Sequence, residues 1–201
     1  MWKSKKGEWG YFRAQKRRRL VITLVCFAIP ILILVTSYLY FGTRRNVLTI
    51  VAMVGLVPAS MSLVNLIMFL LRKSLPEEEY RAICEHEGTL TVAYELYLTS
   101  EKQNALVDAI AICGNELIGL VTDPKTDKRF AQDHLKKMLR ADGFSVSVHM
   151  IGDTGKFLER MDSLNAHAQD LRSQVKHRPR EGYDGYGHED LIRHFSLNYS
   201  L

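Results

Sequence analysis

LVITLVCFAIPILILVTSYLYF (residues 20–41) and VLTIVAMVGLVPASMSLVNLIMFLL (residues 47–71) hold no charged side chain, and only Gly42-Thr43-Arg44-Arg45-Asn46 separates them. A bilayer core about 30 Å thick is crossed by roughly 20 apolar residues of helix. Each run meets that length. In hydrocarbon a helix satisfies its own backbone donors and acceptors, which an isolated extended segment does not. The two runs therefore predict a transmembrane helical hairpin. A secretory signal peptide is the competing reading of the first run, but that run exceeds the usual apolar core of about 7–15 residues, and no small-x-small cleavage site precedes the second. A buried helix pair of a soluble protein is the other alternative.

Charge sets the expected orientation. Lys3, Lys5, Lys6, Arg13, Lys16, Arg17, Arg18 and Arg19 precede the first run against the single acid Glu8, and Arg72, Lys73 and Arg81 follow the second. Basic flanks stay on the cytoplasmic side. Both termini are expected there, with the short turn outside, although Arg44 and Arg45 in that turn weigh against it. The lipid bilayer is thus the first expected partner, and the basic arm, residues 1–19, suits anionic headgroups.

Pro30 and Pro58 lie inside the spans, where each removes a backbone donor and can kink a helix. Ala52, Gly55, Ala59 and Ser62 share one face of the second span. Small residues let another helix approach closely, so the Gly55/Ala59 face predicts packing within the hairpin or a homo-oligomer. Asn65 asks for a polar partner across an interface. Neither span carries an ionisable residue other than Cys26 and the tyrosines, so no ion or substrate path of Asp, Glu, Lys, Arg or His is expected.

The chain is +5 overall, but residues 72–201 hold 17 Lys and Arg against 21 Asp and Glu. A mildly acidic soluble part argues against nucleic acid as a partner, because nonspecific affinity for phosphate backbones comes from clustered cations. Lys136 and Lys137 read as a solvated helix face. Cys26, Cys84 and Cys113 show no metal-ligand spacing, and a cytoplasmic setting keeps thiols reduced. Neither disulfide nor zinc is expected.

Downstream, Ser74-Leu75-Pro76-Glu77 looks like a capping box opening a helix that ends near Glu87 and Gly88. Leu90, Val92, Tyr94, Leu96 and Leu98 then alternate with Thr91, Ala93, Glu95, Tyr97 and Thr99, which predicts a strand with the first set on one face. Residues 106–113 form a second strand, apolar on both faces and therefore central, and residues 117–122 a third. Asp123-Pro124 starts a helix carrying Phe130, His134, Leu135, Met138 and Leu139, with Gly143 at its C-cap. Val146, Val148 and Met150 mark a fourth strand. Asp153 or Thr154 caps a last helix with Phe157, Leu158, Met161, Leu164 and Leu171. The expected fold class is α+β: a two-helix transmembrane hairpin (20–41, 47–71), then a cytoplasmic αβββαβα domain at 74–175. A flexible tail (176–201) ends in a short amphipathic segment around Leu191, Ile192 and Phe195.

The order helix, three-strand meander, helix, strand over residues 76–151 resembles the PD-(D/E)xK nuclease-like superfamily. Leu106-Val107-Asp108-Ala109-Ile110-Ala111-Ile112, a glycine turn, and Glu116-Leu117-Ile118-Gly119-Leu120-Val121 carry the local match. The resemblance implies that Asp108 stands where the family has its metal-binding aspartate, with Mg²⁺ as cofactor of a membrane-tethered nuclease. Where the family has an acidic residue, any residue, then lysine, this chain has Gly119, Leu120 and Val121. Holding Mg²⁺ takes at least two carboxylates, and developing charge calls for a cation. Glu85, Glu87, Glu95, Glu116, Asp123 and Lys125 are the substitutes nearby in sequence. The resulting expectation is a domain without catalytic, cofactor or metal residues that binds an unknown protein or its own copy, with a rearranged metal site at Asp108 as the alternative.

Other residues invite chemistry. Cys84 and His86 sit almost side by side on a helix and point apart, which disfavours a nucleophile and base. Cys113 reads as packing, and His134 as a half-buried histidine on an apolar face. His177, His188 and His194 are too scattered for a metal. Gly152-Asp153-Thr154-Gly155 lacks the spacing of a phosphate loop and reads as a strand-to-helix turn.

Overall fold

A computed structural model of the chain describes residues 5–41, 47–100, 103–175, 183 and 185–200. It divides into two compact units, one built on Phe12–Lys73 and the other on Lys5–Tyr11 with Ser74–Leu201.

The first unit is the helix pair. α1 (Tyr11–Phe41) and α2 (Val47–Leu70) each contain their proline, Pro30 and Pro58, without ending there. α1 begins nine residues before the apolar run, so Arg13 and Lys16 to Arg19 lie on its first turns and not on a separate arm. The small-residue face of α2 packs inside the hairpin. Ala52 and Ala59 are fully buried, and a Cβ added at Gly55 would lie 3.2 Å from Pro30 Cγ. Thr23 Oγ1 and Ser62 Oγ are 2.9 Å apart. The Gly55/Ala59 face thus meets α1 of the same chain.

The second unit is a four-stranded sheet, β1 (Thr91–Thr99), β2 (Asn104–Cys113), β3 (Glu116–Leu120) and β4 (Ser147–Ile151), in that spatial order. β1, β2 and β3 form the antiparallel meander, and β4 joins β3 in parallel. A parallel neighbour needs a crossover, and α4 (Lys128–Ala141) supplies it. β2 is buried from Ala105 to Cys113, as its two-sided apolar pattern predicts. Helices cover both faces. Leu135 and Leu139 of α4, with Leu191 and Ile192 of α7 (His188–Asn198), pack on one. Ile83 of α3 (Glu77–His86), Phe157, Met161 and Leu164 of α5 (Thr154–Ala166), and Ala168 of α6 (Ala168–Ser173) pack on the other.

Several expectations are corrected. The capping box of α3 does not form: Pro76 is its N-cap without a side-chain bond, and the Ser74 hydroxyl is drawn to Glu95 instead. α4 starts at Lys128 because Asp127, not Asp123, accepts the first-turn amides of Arg129 and Phe130. Asp123 makes a turn by accepting from the Lys125 amide at 3.0 Å. The expected last helix breaks at His167 into α5 and α6, leaving Leu171 on the second piece. Of the expected flexible tail, residues 176–182, 184 and 201 lie outside the described residues, while Leu191 and Ile192 of α7 are part of the core and Tyr183 packs against it. Gly143 (φ 80°) and the Asp153 cap stand as expected.

The stretch Lys5–Tyr11 belongs to the sheet unit, which no sequence signal suggested. β1 is an edge strand, and edges with unpaired amides need cover. The Gly7 carbonyl accepts from the Tyr94 amide at 2.9 Å, and Ser200 bridges Leu98 further along. Trp9 stacks on Tyr80 at 4.5 Å and donates its indole N–H to the Leu75 carbonyl. Gly7 is buried at φ 89°, and a Cβ there would meet Leu197 Cδ1 at 2.7 Å, so only glycine fits.

Loss of an N-cap costs about 1 kcal/mol. Asp127→Ala is therefore expected to speed amide exchange at Arg129 and Phe130 and to weaken the unit by about that amount. Asp123→Ala leaves those amides protected. Equal protection in the two variants would place the start of α4 elsewhere.

Candidate functional site

The register runs from Tyr94↔Ala109 to Leu96↔Val107, which sets Glu95 opposite Asp108. Both carboxylates are buried, at 2% and 4% exposure, in the middle of an apolar sheet. Glu95 is also the one described non-glycine residue with positive φ, 56°. Strand direction changes phase there. Val92 and Tyr94 lie on the α3/α5 face, whereas Leu96 and Leu98 lie on the α4/α7 face. β2 matches this step, with Ala105 and Val107 on the α4/α7 face and Ala109 and Ala111 on the α3/α5 face. The single-faced alternation expected for β1 is thus corrected. A left-handed residue takes the chain out of the pleat, and such positions cost about 1–3 kcal/mol unless the surroundings hold them.

Buried carboxylates must be hydrogen-bonded or paired. Asp108 Oδ2 accepts from both the Thr122 amide and the Thr122 hydroxyl, each at 2.7 Å. Glu95 Oε1 accepts from the Ser74 hydroxyl. Two facing carboxylates are the beginning of a divalent-cation site, but hard cations take about six oxygen ligands. Among the described residues no group of three or more His, Cys, Asp or Glu gathers within metal-binding reach.

The other acidic substitutes disperse. Glu85 is exposed on α3, and Glu87 is its C-cap. Glu116 pairs with Arg160 at 3.0 Å, and Asp123 and Lys125 stay in the β3–α4 loop. The place of the family's second acid is closed sterically, since any Cβ at Gly119 would overlap the Met150 sulfur. Val121, at the lysine place, is 1% exposed and packed in the core.

The remaining candidates have structural partners. His86 Nδ1 is 2.7 Å from Asp162, while Cys84 Sγ lies 3.6 Å from the Tyr94 hydroxyl, so the two do not meet. Burial first, then the Cys84 hydrogen bond, pushes the Tyr94 phenol up and keeps it protonated. Cys113 is packed, and burial raises its thiol. His134 stacks on Phe130 at 5.4 Å. His188 Nε2 is 2.9 Å from Asn115 Oδ1, and His194 sits among Tyr183, Tyr186 and Phe195. His177 lies outside the described residues. Asp153 Oδ1 accepts from the Lys156 amide, so the chain's own carboxylate occupies the helix start at Gly152 to Gly155. Lys136 and Lys137 are exposed.

A second feature, without any local signal in the sequence, is a cleft of about 330 Å³ bordered by Thr91, Gly114, Arg172 and Glu189. Glu189 is clamped at its floor. Arg172 reaches it through Nε at 2.8 Å and Nη2 at 2.9 Å, the Gly114 amide donates at 2.7 Å, and the Thr91 hydroxyl at 3.1 Å. The clamp ties α6 and α7 to the β1–β2 end of the sheet. Burial alone raises the Glu189 carboxyl, but the bonds from Arg172, Gly114 and Thr91 and the Arg172 charge outweigh it, and the group ends below its ordinary 4.5.

Compared with family models, curated proteins and solved structures, the chain gives no match in any of the three.

Because the folded Glu189 binds its proton more weakly than the unfolded one, its contribution is complete above its ordinary value and is lost as pH falls through the lower folded value. Wild-type melting temperature, followed by circular dichroism in detergent, is expected to drop more steeply between about pH 5 and 3 than that of Glu189→Gln. The variant is less stable at pH 7 and flatter below. Parallel curves would remove the clamp from the stability of this unit.

Proposed function

We propose that the chain is a two-pass integral membrane protein with both termini in the cytoplasm, presenting a noncatalytic α+β unit that binds a protein partner. One observation carries the membrane half. Among the described residues every exposed large apolar side chain except Tyr186 lies between Leu20 and Leu71. Only 17% and 11% of the apolar windows of α1 and α2 are buried. The core helix of a soluble protein hides such a surface. Monomeric soluble proteins rarely expose apolar patches beyond a few hundred Å², and lipid is the solvent that removes the cost. The cation asymmetry around the spans supports the cytoplasmic placement of both ends. For the binding role, the support is a sheet covered on both faces whose acidic pair is bound up in its own hydrogen bonds.

Alkaline carbonate washing of membranes is expected to leave the full-length chain in the pellet. A cysteine reporter in the turn at residues 42–46 reacts with an impermeant reagent from outside, and one at either terminus does not. Release into the wash, or labelling of the termini from outside, overturns the reading.

The cross-strand Glu95 and Asp108 favour a second reading, a membrane-tethered, Mg²⁺-dependent nuclease-like enzyme with a rearranged site. Purified full-length protein is expected to leave DNA and RNA uncut with or without Mg²⁺. Mg²⁺-dependent cutting that Asp108→Ala abolishes would replace the binding reading with the enzymatic one.

A further inference from the structure

No acidic residue occurs between Glu8 and Glu77, while Arg13, Lys16, Arg17, Arg18, Arg19, Arg72 and Lys73 all fall in that interval. The helix pair therefore has no anion of its own. Among the described residues no carboxylate pairs with Arg17, Arg18 or Arg19. Arg19 lies against the Phe69 ring at 4.0 Å, and its Nε is buried without a hydrogen-bond partner. A cation held there by stacking, with a donor left over, is set for an acceptor from outside the chain.

The space beside it is graded. A groove of about 520 Å³ runs between α1 and α2. Gln15, Arg18 and Arg19 line one end, and Ile22, Cys26 and Met61 the other. On α1 these residues recur at three- and four-residue intervals, which is one helix face running about 17 Å from Gln15 to Cys26. The Thr23–Ser62 contact sets the cationic end toward the last turns of α2, whose Phe69 ring Arg19 covers. Free phosphate would use only the cationic end. An anionic amphiphile uses the whole length.

We propose that this groove is a site for one anionic phospholipid, with its phosphate on Arg18 and Arg19 and an acyl chain along Ile22, Cys26 and Met61. The inference rests on the membrane reading above and adds a defined lipid to it. Guanidinium and phosphate form charge-assisted, two-point hydrogen bonds, and burial of the chain on the apolar half gives retention that a surface cation lacks.

The test uses full-length protein in nanodiscs of phosphatidylcholine with or without phosphatidylglycerol, released for native mass spectrometry. One retained phosphatidylglycerol per chain is expected, and inorganic phosphate does not displace it. Arg18→Gln with Arg19→Gln lowers retention by about ten-fold or more. Arg17→Gln with Lys73→Gln removes the same charge outside the groove and leaves retention intact. Cys26→Phe fills the apolar half, keeps every cation and abolishes retention. Circular dichroism confirms that each variant is helical. Equal losses in the two charge variants, retention in Cys26→Phe, displacement by phosphate, or equal retention of both lipids would overturn the site. A chain that stays soluble without detergent and never enters nanodiscs would instead overturn the membrane reading beneath it.

Discussion

β2 has no solvated face, and the architecture of the sheet unit follows from that constraint. From Ala105 to Cys113 every residue is buried, with Ile110 and Ile112 on one side and Ala109 and Ala111 on the other. A strand of this kind is stable only in the middle of a sheet with cover above and below. β1 and β3 take its two edges. α4 and α7 cover one face, and α3, α5 and α6 the other. Each fully buried Leu or Ile contributes about 1.5–3 kcal/mol, so the two layers are held mainly by contacts with this one strand and its neighbours. Of the two edge strands, β1 and β4, β1 is closed by Gly7 and Ser200, which lie far apart in the chain.

Inside that frame lies one polar exception. Glu95 and Asp108 stand opposite each other in register where both strands step out of the pleat. Ala93, Ile110 and Ile112 on one side of the step, and Leu96, Leu98, Ala105 and Val107 on the other, all lie on the α4/α7 face, whereas Val92, Tyr94, Ala109 and Ala111 lie on the α3/α5 face. The same arrangement bears on chemistry. Thr122 and Ser74 supply donors to the carboxylates, Met150 fills the space beside Gly119, and Val121 is core. A site that cuts phosphodiesters needs open coordination positions and a cation beside them. Here the acidic pair shares its place with the packing of the sheet.

The helix pair follows a different rule. Its small residues are spent within the hairpin, on Pro30 and Thr23, and its large ones face outward. Among the described residues, no carboxylate pairs with Arg17, Arg18 or Arg19. The apolar exterior and the cluster of Arg17, Arg18 and Arg19 are the two features on which the proposed membrane setting rests.

How much of this was readable in advance differs by feature. The two apolar helices, the central position of β2, the order of helices and strands, and the caps at Asp153 and Gly143 were legible because each depends on residues within a few positions of one another. The start of α4 was misplaced because Asp123-Pro124 and Asp127 are both good local openings, and only the turn made by Asp123 chooses between them. The face change at Glu95 was illegible. An unbroken alternation of apolar residues fits either side of the sheet, and a left-handed glutamate leaves no mark in composition. The docking of Trp9 on Tyr80, of Gly7 on Tyr94, and of Arg172 on Glu189 joins residues 17 to 87 positions apart. Hydropathy and spacing are properties of neighbours in the chain, and they settled which segments are helix, strand or apolar span. Which carboxylate meets which donor, and which face a side chain finally presents, depends on segments distant in sequence, and it was settled only when the layers closed on β2.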